Sequence, residues 1–316
     1  MMKIFRGSVF VLLGVVACSC SRPSFADNLL ASWVDAPGQK FSRVEIYRDS
    51  VPKVDLNFSD LAIAVAIDPN GDLYVVSLAS AQIQKYSSAG LPQGVFATAS
   101  LPLYGGGVAF NAAGNLFVAT TDMFRPNLTS SIEQYASNGA QLGMFAAAAP
   151  GVHVDMAIDR DGHVYLTTVN SSIQRFGSDG TLLNTFATGG KLNSLALDSQ
   201  SSVYAVINNS SVVAFSSSGA PLGTIVSGVG FIQSIAVDSD DVLYVGGGVE
   251  FASQGFIKKY SPSGTFLGDF VSGQPGIPLD LSFAAPVPEP GTLTLCVFVG
   301  GCALALSRRW QFGSEH

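Results

Sequence analysis

The sequence predicts an all-β fold, a six-bladed β-propeller of four-stranded antiparallel blades, on three observations. One phrase recurs five times in the middle of the chain: an apolar-Ala-apolar-Asp/Asn word, a short turn, then an apolar-aromatic-apolar word. Its Asp or Asn positions, Asp68, Asn111, Asp159, Asp198 and Asp238, follow one another at steps of 43, 48, 39 and 40 residues, the period of a propeller blade. Strand-like segments without partners lie at both ends of this array, where together they can complete a sixth blade.

The paired words occupy residues 65–68 with 72–75, 108–111 with 115–118, 156–159 with 163–166, 195–198 with 202–205, and 235–238 with 242–245. Each copy continues into an Ile-x-x-aromatic segment, at Ile83 and Tyr86, Ile132 and Tyr135, Ile173 and Phe176, and Ile257 and Tyr260, with Val212 and Phe215 as a weaker member. A turn ending in Gly90, Gly139, Gly180, Gly219 or Gly264 follows, and an apolar segment closes the unit at Phe96, Phe145, Phe186, Val226 or Phe270. A blade packs on neighbours through both faces, so unbroken apolar runs are expected in its strands in place of polar alternation. Ala66, Ala109, Ala157, Ala196 and Ala236 suit a crowded innermost strand.

For the sixth blade, residues 29–34, 44–47 and 54–58 read as strands two, three and four, and residues 279–284 as the missing first strand. Pairing them closes the ring and removes an exposed edge. The propeller is therefore placed at residues 27–286.

The ends read as addresses. Lys3 and Arg6 precede an apolar run from Val9 to Ala17, and Ser24 and Ala26 supply the small residues of a signal-peptidase site, so residues 1–26 read as a secretory signal peptide. A second reading takes Val15, Val16, Ala17 and Cys18 as a lipobox with Cys18 as a lipidated N-terminus. Near the other end Pro288, Glu289 and Pro290 precede an uncharged stretch, residues 292–307, followed by Arg308 and Arg309. As a helix that stretch spans about 24 Å, a marginal membrane anchor, and the two arginines are expected on the cytoplasmic side.

This tail resembles the PEP-CTERM sorting signal of Gram-negative bacteria, with Pro288, Glu289 and Pro290 as the motif and Arg308 and Arg309 as the basic end. The resemblance covers residues 287–309 and leaves residues 310–316 as a short cytoplasmic tail. It implies an exosortase-type processing enzyme as partner, a membrane-anchored intermediate at the inner membrane, and final delivery to the cell surface or extracellular matrix, in association with exopolysaccharide and biofilm material. The repeated phrase is similar to the NHL repeat over most of residues 61–270. Gly71, Gly114 and Gly162 keep that repeat's turn glycine, whereas Ser201 and Asp241 replace it.

Charge and chemistry narrow the function. Residues 27–286 carry 11 Lys and Arg against 21 Asp and Glu, a net charge of −10, which repels phosphate and argues against nucleic acid. The four cysteines, Cys18, Cys20, Cys296 and Cys302, lie outside residues 21–295, so that stretch has neither a disulfide nor a thiol nucleophile. Asp68-Pro-Asn-Gly-Asp72 and Asp159-Arg-Asp-Gly162 superficially resemble calcium loops but lack the closing Glu, and their repetition predicts hairpin turns in which the carboxylate accepts backbone N–H groups. His153 and His163 read as a strand-end and a turn residue. Gly105–Gly107 and Gly246–Gly248 lack the context of phosphate loops and read as sites of close backbone approach or strand bending.

Two residues before each repeated Ala stand Ala64, Gly107, Asp155, Ser194 and Ser234, with Asp280 in the split blade. In a closed ring these positions face the central channel, which makes Asp155, Asp280, Ser194 and Ser234 the candidates for holding a ligand there. Asn193 and Gln233, adjacent to them, are expected to point elsewhere by strand alternation. No catalytic residue, metal ligand or cofactor is assigned. The expected function is a non-catalytic binding or structural module, and the alternative is a propeller lyase or a gluconolactonase-like or paraoxonase-like metal-dependent hydrolase. Against that hydrolase, Glu45, Glu133 and Glu250 fall outside the innermost strands.

Overall fold

The structure is a computed structural model, and it describes residues 28–34, 42–48, 50–58, 61–77, 81–100, 107–121, 130–149, 152–168, 171–250 and 253–283. The signal peptide, Cys18 and the sorting segment with Pro288, Glu289, Pro290, Arg308 and Arg309 lie outside the described residues. Among the described residues no helix is long and apolar enough to cross a membrane.

Twenty-four strands form six separate four-stranded antiparallel sheets. Blade one contains β1 (Leu29–Val34), β2 (Ser42–Arg48) and β3 (Val51–Phe58), with β24 (Ile277–Ser282) as its inner strand. Blade two is β4 (Ala62–Ile67), β5 (Leu73–Ser77), β6 (Gln82–Tyr86) and β7 (Pro92–Thr98). Blade three is β8 (Val108–Phe110), β9 (Leu116–Thr121), β10 (Ser130–Tyr135) and β11 (Gln141–Ala148). Blade four is β12 (His153–Ile158), β13 (Val164–Thr168), β14 (Ser172–Phe176) and β15 (Leu182–Ala187). Blade five is β16 (Leu192–Leu197), β17 (Val203–Ile207), β18 (Ser211–Phe215) and β19 (Pro221–Ser227). Blade six is β20 (Phe231–Val237), β21 (Leu243–Glu250), β22 (Ser253–Tyr260) and β23 (Phe266–Gln274).

The split blade forms as the sequence predicts, in the order β24-β1-β2-β3, with Ser32 opposite Asp280 and Leu30 opposite Ser282. Its inner strand begins two residues earlier than expected, because Ile277 and Pro278 pair with Val34 and Trp33.

The core is six cores, one in each joint between neighbouring blades. Within a wholly buried strand, alternate residues serve opposite joints: in β5, Leu73 and Val75 pack with Val44 and Ile46 of blade one, whereas Tyr74 and Val76 pack with Val108 and Val118 of blade three. In β17, Val203 and Ala205 face Ile173 of blade four, and Tyr204 and Val206 face Ile235 of blade six. The period of two survives, and both of its phases are apolar.

Each recurring Asp or Asn closes the turn after an innermost strand. Asp68 Oδ1 accepts from Asn70 N and Asp72 N at 2.9 Å each, and Asn111, Asp159, Asp198 and Asp238 repeat the pattern with their own turns. The repeated Tyr uses the other oxygen: Tyr74 donates to Asp68 Oδ2 at 3.2 Å and Tyr204 to Asp198 Oδ2 at 3.3 Å. Gly71, Gly114 and Gly162 are left-handed in these turns, and so are their replacements Ser201 (φ 61°) and Asp241 (φ 62°). Asp241 uses that position to reach the neighbouring blade, accepting from Ser199 N and Ser199 Oγ at 2.7 Å each.

The glycine of the later turn has two reasons to be glycine. Gly139 and Gly180 are left-handed, and each lies against the outer strand of the preceding blade, where an added Cβ would overlap the Phe96 or Phe145 carbonyl oxygen. Gly264 meets the Ile225 carbonyl in the same way, and Gly90 and Gly219 meet the side chains of Val54 and Phe186.

Candidate functional site

The candidate site is the inner wall of the ring, and a bulge shapes it. In β4, β16 and β20 the register with the next strand skips one residue, Ile63, Asn193 or Gln233, just before Ala64, Ser194 or Ser234. In β24 Leu279 is skipped before Asp280, and β12 is irregular between His153 and Met156, around Asp155. An extra residue re-aims the side chain that follows it. Here it turns the ring position toward the next blade.

Four joints are stitched in this way. Asp155 Oδ2 accepts from Leu195 N at 2.8 Å and Ser194 Oγ at 2.7 Å, while its Oδ1 accepts from Met156 N at 2.7 Å. Ser194 Oγ in turn accepts from Ile235 N at 3.2 Å. Ser234 Oγ donates to the Pro278 carbonyl at 3.0 Å, and Asp280 Oδ2 accepts from Val65 N at 2.8 Å. The chain of contacts runs from blade four through five, six and one to blade two. Ser194 and Ser234 are 2% and 0% exposed and lie in the joints, away from the cavity surface.

Ala64 and Gly107 occupy the same position in the two remaining joints and bring no polar group. At Gly107 there is no room for one, since a Cβ would come within 2.9 Å of Ala119 Cβ. Gly246 makes space in the same manner for Ser234 and Pro278, and Gly247 for the Phe231 backbone, the close approach expected of that glycine run.

Inside the ring lies a cavity of about 160 Å³. Asp155 and Asp280 line it, with Val65, Val108, Leu195 and Ile235 among the apolar residues around them. Blades four and one stand opposite each other in the ring, so the carboxyl groups face each other across the channel. Each keeps a face on the cavity but is otherwise enclosed by protein. Burial pushes the Asp155 carboxyl up to about 6, against the pull of the Leu195, Ser194 and Met156 donors. Burial, and then the negative charge of Asp155, hold the Asp280 carboxyl well above the usual carboxylate range.

The histidines stand apart from this cavity. His153 is buried with Nδ1 3.1 Å from the Thr167 carbonyl, and burial lowers its pKa, which keeps it neutral. The ligating atoms of His163, Asp159 and Asp161 come within 4.8 Å of one another, the one three-residue cluster of metal-ligating type among the described residues. His163 Nδ1 lies 2.9 Å from Asp159 Oδ2, and Asp159 Oδ1 holds the Asp161 and His163 amides, so the group is a closed turn. Asn193 and Gln233 do not line the cavity; Asn193 Nδ2 and Asn209 Nδ2 donate to Gln233 Oε1 at 3.4 and 3.0 Å.

Two buried clusters have no counterpart in the sequence reading. Glu45 and Glu133 hold the same place on the third strands of blades one and three, and each accepts from a tyrosine two residues on, Tyr47 or Tyr135. Arg43 Nε donates to Glu45 at 3.0 Å, and its guanidinium covers the Trp33 ring at 4.9 Å. Glu133 also binds Ser100 in the segment that leaves blade two. The common Glu-x-Tyr spacing was the available signal.

No protein-family model matches the sequence, and neither does any curated protein. Solved structures do match in fold. A chain of a nidogen/laminin complex superposes with a TM-score of 0.63 at 15% identity, over 82% of this chain and 98% of that one. A protein of unknown function from Bacteroides caccae gives 0.62 at 14% identity, over 81% and 97%. A gluconolactonase from Xanthomonas campestris gives 0.56 at 17% identity, over 71% and 80%. At these identities the likeness shows the fold, a six-bladed β-propeller, and that fold is shared by enzymes and non-enzymes.

Proposed function

We propose that this protein is an exported propeller of the cell surface or extracellular matrix, working as a non-catalytic binding or structural module and delivered by a PEP-CTERM-type tail. The observation that carries the non-catalytic reading is the use of the inner ring as a joint. Ser194, Ser234, Asp155 and Asp280 all hold neighbouring blades, and the cavity adds no carboxylate beyond those two among the described residues. A divalent metal of the hydrolase type needs more oxygen ligands than two carboxylates already bonded to backbone amides. The fit to a metal centre is therefore poor, and the lactonase likeness adds the fold alone.

The Pro288-Glu289-Pro290 motif and the Arg308-Arg309 pair support export and sorting by an exosortase-type enzyme, and that system's link to exopolysaccharide supplies the partner class. The test is co-sedimentation of the mature protein with the producer's own exopolysaccharide at moderate salt, beside an Asp155→Asn/Asp280→Asn variant. Saturable binding kept by the variant places the ligand on the loops, and binding lost with it places the ligand in the channel. Absence of binding overturns the matrix reading. Melting raised by calcium together with lactone or ester turnover overturns the non-catalytic one.

A further inference from the structure

Asp155 and Asp280 are an unusual pair. Each uses one oxygen on an amide of the following blade, Leu195 N for Asp155 and Val65 N for Asp280, so each carboxyl group ties a joint while facing the channel. Among the described residues the cavity between them holds no other ionisable group, since its remaining lining is apolar apart from Ser282. Two like charges on one cavity wall, with no charged side chain among the described lining residues to offset them, repel each other, and the charge of Asp155 adds to burial in raising Asp280.

The surrounding elements supply no counter-charge. Packed on β12 are β8, β9, β13 and β16, whose one titratable side chain, Tyr165, sits in a joint beside Arg175. His153, on β12 itself, is buried and faces the Thr167 carbonyl. Packed on β24 are β1, β4, β20, β21 and β22. Of their groups, Tyr244 lies against Asp238, Lys258 pairs with Asp269 at 2.6 Å, Lys259 stands opposite Tyr244 on the neighbouring strand, Tyr260 packs near Phe266, and Glu250 is at the far end of β21. Tyr244, Lys258, Lys259 and Tyr260 do not line the cavity.

We propose that Asp155 and Asp280 act as an opposed carboxyl pair across the channel that makes closure of the propeller ring sensitive to pH, tight while one of them is protonated and loosened when both are ionised. The loosening falls on the two joints the pair ties, four to five and one to two. The folded ring binds protons more tightly at these groups than the unfolded chain does. Their stabilisation is therefore complete below the unfolded carboxylate range, near pH 4, and is lost as pH rises through about 6 and beyond. The two groups titrate as a pair, in two steps that belong to neither alone.

The experiment is thermal melting of the mature protein from pH 4.5 to 9. Between pH 5 and pH 8 the unmodified protein is expected to lose roughly 5 °C or more relative to the Asp155→Asn/Asp280→Asn double variant, a difference that cancels the opposite contribution of buried His153, whose lowered pKa destabilises the fold as pH falls. Asp280→Asn and Asp155→Asn, which keep an acceptor oxygen but no charge, should each remove part of that loss, and the two together most of it, because burial raises each carboxyl even without the other's charge. Amide protection at Leu195 and Val65, corrected for intrinsic exchange, should drop over the same range in the unmodified protein. Carboxyl carbon-13 titration of the unmodified protein serves if a variant fails to fold, and should show two interacting aspartate steps, both above the usual aspartate range. A pH dependence of melting unchanged in the Asn double variant, or two aspartates titrating independently near pH 4, would overturn the proposal.

Discussion

The outer and inner edges of the ring are built on opposite rules. At the outer edge the joints repeat: five blades tuck a left-handed glycine, from Gly90 to Gly264, against the preceding blade's outer strand. At the inner edge the joints differ, with Asp, Ser, Ser and Asp on four of them and Ala or Gly on two. The repeat thus enforces the shape of the ring through backbone fit, while the inner wall is free to vary because any group that satisfies the next blade's amide, or simply leaves room, completes a joint. The inner wall is where polar groups differ from blade to blade, as the two opposed carboxyls show.

The strongest way to break this contrast is at the outer edge. Gly180→Ala combines left-handed strain with overlap on the Phe145 carbonyl and should cost about 3 kcal/mol or more in chemical denaturation. Gly143→Ala, at φ 119° but with nothing within 4 Å of the added carbon, isolates the strain and should cost about 1–2 kcal/mol. Equal losses at the two positions would show that docking adds nothing. At the inner edge, Ser194→Ala removes an acceptor from the Ile235 amide and a donor from Asp155, and should cost about 1–3 kcal/mol. The smallest effect is expected at Ser201→Gly, which relieves the left-handed serine and should stabilise by up to about 1 kcal/mol, read as a higher denaturation midpoint.

Most of the fold is legible in the sequence because the blade period writes it five times. The Asp of each turn, the glycine of the later turn and the split closure all rest on spacing, and spacing survives translation into strands. The inner wall was only half legible. The position of Asp155 and Asp280 on the channel follows from the repeat, but the aim of Ser194 and Ser234 depends on the residue skipped just before each, Asn193 or Gln233. A bulge has no compositional mark here, as the skipped residues are Ile63, Asn193, Gln233 and Leu279, two apolar and two amide. Strand alternation alone cannot say which neighbour becomes the joint. The Glu45 and Glu133 clusters escaped for a related reason: an acid in a mixed strand reads as an ordinary solvent-facing residue until its tyrosine, two residues on, is seen to turn back onto it.

The split blade has a mechanical consequence. The last described residue, Phe283, follows directly on β24, the innermost strand, which is held to the rest of its blade through antiparallel pairing with β1. A force applied at Phe283 along the strand would therefore act on the channel wall itself. Pulling in that direction loads the β24–β1 hydrogen bonds together in shear, so they yield as a group and not one at a time. The ring is clasped where a tethered molecule would carry its load.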